Sequence, residues 1–314
     1  MSSLDYLEPS MLNDSKKLKE ISFWCSVMNR PQGWHYDLDF IWVLNLIESK
    51  NLKKNSKILD AGAGLGPFQY ILASKGYQVF SLDFSKRKIP ENVRRIFKVS
   101  EEEHDTKYEH PYQNFITFKN KEAFLKKIFK LIKLSLIDLF LYLFFKIKKN
   151  LIYYLNSLNL SLFFKKNNFG SITFIKAPFH EIPYQDNYFD MVISISALEH
   201  SDKSLIEKSI DEMKRVLNPD GNLLITTSSS MKVAETFHKE SSGWCFSQET
   251  ISKILGRNVF NDETFLKRIE KKFLESKKWK SRIDPYYLLN EQSNFYRKKI
   301  ESLPYLPIAF NLKK

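Results

Sequence analysis

Three glycines and two carboxylates carry the first chemical signal in the chain. In the stretch ILDAGAGLGPF, residues 58–68, Asp60 follows the apolar pair Ile58-Leu59, and Gly62, Gly64 and Gly66 alternate behind it. Glycine suits a turn whose backbone takes unusual dihedrals and must approach a ligand with no Cβ in the way. A carboxylate at the head of such a turn meets an amine or a hydroxyl rather than a phosphate. The next apolar run, Tyr77 to Leu82, ends in Asp83, where a nucleotide-binding α/β unit sets an acid against the two ribose hydroxyls. A glycine-rich turn without a ligand has the same local composition, so the loop needs support from elsewhere in the chain.

A second group lies beyond the apolar run Met191 to Ile195, where Ser196, Leu198, Glu199 and His200 follow in close order. An imidazole ordinarily titrates near neutrality, so His200 can accept a proton from a substrate hydroxyl within hydrogen-bond reach. The other reading of Glu199-His200 is a pair that shapes the loop and the start of its helix. Near the N-terminus Trp34, His35, Tyr36 and Asp39 cluster at the start of an apolar-periodic run. They read either as a cap over the site or as ordinary aromatic packing. No metal cluster is visible. Cys25 and Cys245 are the only cysteines, lie far apart and lack metal-ligand spacing, which suits a reduced cytoplasmic protein. The first residues, MSSLDYLEPSMLNDSKK, show no basic start followed by an apolar core, so no signal peptide is expected.

The elements that position these residues follow from periodicity. Phe40, Ile41, Val43, Leu44 and Ile47 recur at helical spacing ahead of the first strand, while residues 1 to about 20 read as polar, with no strand expected, and loosely held until they dock. Strands are expected at 57–59, 77–82, 172–175, 191–195 and 223–226, with a helix through Leu205, Ile210, Met213 and Leu217. Asn218-Pro219-Asp220-Gly221 reads as a turn, and the charged segment after Asp83 as loop with a short helix. Strands alternating with helices predict an α/β fold whose parallel sheet has helices on both faces.

With 314 residues, 43% of them hydrophobic, the chain can build a sizeable core. The net charge of +13 suits an anionic partner, and its source is local: residues 119–166 hold eleven lysines against Glu122 and Asp138. These lysines share helical segments with Phe, Leu, Ile and Tyr. The apolar stretch between Lys133 and Lys146 gives a helix of only about 18 Å against a hydrocarbon core of about 30 Å. A helix lying in the interface of an anionic membrane fits this pattern, as does a helical subdomain packed over the site. The expected division is a helical N-terminal cap at 1–54, a Rossmann-like domain at 55–100 and 170–314, and an inserted amphipathic segment at 101–169 between the second and third strands.

Taken together, ILDAGAGLG, SLDFS, IPYQDNYFDMVISISALEH and MKRVLNPDGNLLITT occur in the order in which they occur in class I S-adenosylmethionine-dependent methyltransferases of small molecules, lipids and glycans, which the chain closely resembles. GWCFSQETISKIL resembles the segment after the fifth strand, and YLPIAFNLKK the closing antiparallel strand. The resemblance implies a Rossmann-like fold and S-adenosyl-L-methionine as cofactor. It implies cofactor contact by Asp60, Ala61, Gly62, Gly64, Gly66, Asp83, Phe84, Phe179, Ser196 and Leu198. Asp60, Gly62 and Gly64 would face the methionine moiety, Asp83 the ribose and Phe84 the adenine. Pro178 stands where the family commonly has an acid for the adenine amino group, leaving the backbone of Phe179 or the side chain of His180 as substitutes. Trp34, His35 and Tyr36 would cap the methionine end, with His200 and Glu199 as catalytic candidates.

The expected function is methyl transfer to a small-molecule, lipid-linked or glycan acceptor in the cytoplasm, with 119–166 touching the inner face of the cell membrane. An RNA methyltransferase is the alternative that the charge suggests. Against nucleic acid, Ser194-Ile195-Ser196-Ala197 is not the Asn-Pro-Pro-aromatic clamp of base amino methylases, and the lysines mix with apolar residues. A binding protein on the same fold without catalysis is the other alternative.

Overall fold

Five runs of β-branched and aromatic residues become the parallel heart of an eight-stranded sheet, and the glycine and proline punctuation between them becomes its loops. The computed structural model describes residues 2–28, 33–104, 143–144, 147–148, 151, 155, 169–284, 287–288 and 293–314. Its strands are β1 (Ser3–Tyr6), β2 (Lys57–Ala61), β3 (Gln78–Asp83), β4 (Lys98–Glu103), β5 (Ser171–Lys176), β6 (Phe189–Ile195), β7 (Leu217–Ser229), β8 (Thr236–His238), β9 (Gly243–Cys245) and β10 (Leu306–Lys313). The main sheet runs β1-β10-β7-β6-β2-β3-β5-β4, and β8 and β9 form a separate hairpin. Strands β2 to β7 pair in parallel, while β10 is antiparallel to both β7 and β1.

Alternation along the strands divides the core between two faces. Ile58, Val79, Ile172 and Met191 pack in one cluster with the helices α1 (Ser15–Met28), α2 (Tyr36–Ser49), α3 (Phe68–Ser74), α4 (Glu91–Ile96), α7 (Glu263–Glu275) and α8 (Lys277–Arg282). Their neighbours Leu59, Phe80, Ile175 and Val192 pack in the other with α5 (Ile206–Val216) and α6 (Gln248–Leu255). The expected α/β sheet covered on both faces is therefore the observed one. From β2 the chain crosses to β3 on one side, while β6 lies on the other. The carboxyl ends of β2 and β6 thus flank a topological switch point, where ligands of open α/β sheets bind.

Three stretches differ from the sequence expectation. The N-terminal residues are docked: β1 pairs Leu4 with Phe310 and Tyr6 with Ile308, Leu7 and Leu12 are fully buried, and Trp42 Nε1 donates to Asp5 at 2.9 Å. A four-residue strand is too short to show a period, so only the partner strand reveals it. The region 1–54 accordingly supplies a strand of the main sheet as well as helices. Lys98–Glu103, expected as loop, is the edge strand β4. Its charges pair across to Arg94, Lys86 and Lys176, and such a charged strand shields a sheet edge. The turn Asn218–Gly221 becomes an excursion within β7, where the pairing with β6 jumps from Phe189–Leu217 to Met191–Asn222.

Most of the basic apolar insertion falls outside the described residues. Within it Leu143, Ile147, Leu151 and Leu155 are helical, spaced by four and exposed. No helix among the described residues is long and apolar enough to cross a membrane.

Candidate functional site

The glycine turn leaves β2 and takes the left-handed conformation twice, with φ of 78° at Gly62 and 51° at Gly64. At Gly62 the need is also steric, since a Cβ would lie 2.4 Å from that of Ala197 and 3.2 Å from the Phe179 ring. This contact seats the turn against the loops that follow β5 and β6. At Gly64 a Cβ would meet only Asp83 Oδ2, at 3.9 Å. The Gly64 N–H donates to Asp83 Oδ2 at 2.9 Å, and Ser85 donates its N–H and Oγ–H to Asp83 Oδ1 at 2.9 and 2.6 Å. The two acidic motifs of the sequence are thereby one assembly, with the Asp83 carboxylate turned toward the turn.

Asp60 ends β2 with a side chain only 3% exposed, and no hydrogen bond to its carboxylate is found among the described residues. Burial pushes its pKa up to about 7, against the pull of Arg87 and with a further push from Asp83. Arg87, in the loop after β3, is the cation of this group and was not legible as such. Its guanidinium donates to Ser81 Oγ at 2.6 Å, to the Ser81 carbonyl, to Ile175 O at 3.2 Å and to Gly64 O at 3.3 Å. It also lies over the Phe174 ring. Arg87 thus ties the glycine turn to β3 and β5 while supplying positive potential to two buried carboxylates.

Across the switch point, Ser196 leaves β6 with a positive φ of 46°, its N–H held by Thr226 O at 2.9 Å. Its Oγ donates to Asp39 Oδ2 at 3.2 Å. Asp39, fully buried on α2, also receives His35 Nδ1 at 2.8 Å, and His35 Nε2 lies 3.2 Å from the Tyr305 hydroxyl. The second oxygen of Asp39, Oδ1, is buried with no hydrogen-bond partner among the described residues. A carboxylate accepts only, so His35 carries its proton on Nδ1.

Glu199 is buried and receives Thr227 Oγ1 at 2.9 Å, and burial raises its pKa despite the nearby His200. His200 Nδ1 donates to Ser242 O at 3.0 Å, which leaves Nε2 as the acceptor of the ring. The β8-β9 hairpin packs directly on this pair: a Cβ at Gly243 would fall 3.1 Å from the His200 ring and 3.2 Å from Glu199. Leu198 is fully buried under them.

The residues expected to cap the site divide. Trp34 packs in an aromatic group with Tyr305, Phe295 and Trp279 at ring distances of 5.2, 5.5 and 5.8 Å. His35 belongs to the Asp39 network. Tyr36 packs at a tilt against Phe40, which contacts Phe68 at the start of α3 behind the glycine turn. Phe84 is half-buried and His180 buried at the ends of β3 and β5. Asp60, Ala61, Gly62, Gly64, Gly66, Asp83, Phe179, Ser196 and Leu198 come to the same carboxyl edge. Among the described residues no cluster of His, Cys, Asp or Glu could hold a metal ion.

Residues 155–225 match a family described as Methyltransferase domain. No curated protein matches the chain. Among solved structures, a protein of Pyrococcus horikoshii OT3 is 17% identical with a TM-score of 0.30, over 60% of this chain and 53% of its own. The chain thus spans about half the length of that relative. A SAM-dependent methyltransferase from Aquifex aeolicus is 15% identical with a TM-score of 0.33, over 68% and 76% of the two chains. The 1,6-didemethyltoxoflavin-N1-methyltransferase of Burkholderia thailandensis, with bound 1,6-didemethyltoxoflavin and S-adenosylhomocysteine, is 11% identical with a TM-score of 0.40, over 97% and 84%.

Proposed function

We propose that this chain, a class I S-adenosylmethionine-dependent methyltransferase by its fold and its matched domain, transfers the methyl group to a small-molecule, lipid-linked or glycan acceptor. The observation that carries the reading is Asp60. A carboxylate 3% exposed, with no hydrogen-bond partner among the described residues, beside two left-handed glycines, fits a cationic ligand. The methionine end of the cofactor supplies an ammonium and a sulfonium. Asp83, already fixed by Gly64 and Ser85, keeps lone pairs for ribose hydroxyls.

Methyl transfer from a sulfonium requires alignment of the nucleophile above all, and fixed loops at the ends of β2 and β6 supply it. His200 has an acceptor nitrogen for an acceptor proton, and the buried Glu199 lies beside it. The insertion would bring the enzyme to an anionic membrane: the exposed residues Leu143, Ile147, Leu151 and Leu155 offer an apolar stripe next to exposed Lys148.

Calorimetric titration with S-adenosylmethionine and its demethylated product tests the reading. Binding with heat stabilisation is expected, and no binding of either would remove its basis. Incubation of the enzyme with labelled cofactor and lipid or glycan extracts, followed by mass spectrometry for a gain of one methyl group, then identifies the acceptor.

A further inference from the structure

Behind the β8-β9 hairpin lies a cavity of about 50 Å³ that neither the glycine turn nor Asp83 lines. Trp34, Phe295 and Tyr305 form its aromatic wall, and His238, Glu240 and Asn294 complete it. Trp34 and Tyr305 rings are 5.2 Å apart, Trp34 and Phe295 5.5 Å, and all three are almost fully buried. We propose that this cavity seats the alkylammonium head of the methyl acceptor, an ammonium with an oxygen close by. The proposal rests on the methyltransferase reading, because the same hairpin that closes the cavity packs its Gly243 on Glu199 and its Ser242 carbonyl on His200.

Three features select a cation. Aromatic faces attract an ammonium, most strongly where water is excluded. Glu240 brings a carboxylate to the lining, 4.0 Å from His238 Nε2. Burial and the neighbouring His35 lower the pKa of His238, which disfavours a positive charge on its ring.

Two polar groups define what surrounds the cation. His35 gives its Nδ1 proton to Asp39, so its Nε2 accepts the Tyr305 O–H. The phenol oxygen then keeps its lone pairs for an N–H of the ligand. Trp34 Nε1 is a buried donor with no hydrogen-bond partner among the described residues, and it calls for an oxygen on the ligand. The volume fits a short amino alcohol head and excludes a bulky group.

The test is titration of the full chain with ethanolammonium, ethylammonium, glucosammonium and neutral propan-1-ol at matched ionic strength, followed by the indole N–H resonance of Trp34, assigned with Trp34→Phe. Saturable binding of ethanolammonium at least about tenfold tighter than of propan-1-ol is expected. Tighter binding of glucosammonium than of ethanolammonium would overturn the assignment, because the cavity excludes a bulky head. Glu240→Gln and Tyr305→Phe should each weaken the ammonium about tenfold while S-adenosylmethionine affinity stays within about twofold. Equal binding of propan-1-ol, or no ammonium binding by a protein that binds S-adenosylmethionine, would overturn the cavity assignment alone. Loss of cofactor binding with ammonium binding intact would instead overturn the methyltransferase reading.

Discussion

Gly64 and Asp83, nineteen residues apart in the chain, are joined by a 2.9 Å hydrogen bond from the Gly64 N–H to Asp83 Oδ2. The turn that follows β2 is therefore shaped by the acid that ends β3, and neither motif is independent of the other. Replacing Asp83 by Ala strands three donors, the N–H groups of Gly64 and Ser85 and the Ser85 hydroxyl. Each unsatisfied donor costs about 1–3 kcal/mol where water cannot reach it. Asp83→Ala should lower the melting temperature and weaken S-adenosylmethionine binding by about 100-fold or more in calorimetry. Asp83→Asn keeps an acceptor for Gly64 and should melt closer to the wild type while still losing most cofactor affinity.

The two left-handed glycines should respond differently to the same change. At Gly62 an added methyl meets Ala197 at 2.4 Å, so the clash adds to the backbone strain. At Gly64 the nearest atom is 3.9 Å away and strain acts alone. Denaturant unfolding is expected to show a loss of about 1 kcal/mol for Gly64→Ala and about 2 kcal/mol or more for Gly62→Ala. Equal losses would mean that the turn does not bear on the loop after β6.

What could be read in advance follows the range of the interactions. The turn, Asp83 and the five core strands are written in local composition, because glycine spacing and apolar runs act within a few residues. Ser85 also carried a local signal, as a serine two residues after an aspartate. Asp39 and Tyr305 did not, since the network that joins them through His35 spans 270 residues and only the closing of β10 brings Tyr305 there. Arg87 lay in a run of charges, SKRK, in which nothing marks the one guanidinium that folds back under the turn. The strands β1 and β4 were missed for a related reason: edge strands are short or charged, and their identity comes from the neighbour they pair with.

Membrane attachment gives a separable prediction. Ile147 and Leu151 are helical, exposed and four residues apart. Changing both to Glu removes apolar area and adds negative charge, which anionic headgroups repel. Co-sedimentation with phosphatidylglycerol vesicles should fall about tenfold or more, with S-adenosylmethionine affinity unchanged. Wild-type protein retained better by RNA than by these vesicles at matched salt would instead favour a nucleic-acid partner.

Asp60 links pH to stability and to function with opposite signs. Its carboxyl is pushed up to about 7 by burial, with Arg87 opposing and Asp83 adding to the shift. In the unfolded chain it ionises near its ordinary value of about 3.9. Between these values the folded protein holds a proton that the unfolded chain has released. Its contribution is thus fully present below about pH 4 and is lost as the pH rises toward about 7, at no more than roughly 1.4 kcal/mol per unit. Asp60→Asn removes that loss, so the variant should melt higher than wild type at about pH 8 and close to it at about pH 4. Cofactor binding runs the other way, because a cationic ligand needs the ionised carboxylate: wild-type affinity should rise with pH and level off above about 7, and Asp60→Asn should abolish that rise. Paired melting and calorimetry across this range check both signs. A variant that melts lower than wild type at high pH would show that the buried carboxylate is already satisfied, and the case for a cationic ligand in the hollow would go with it.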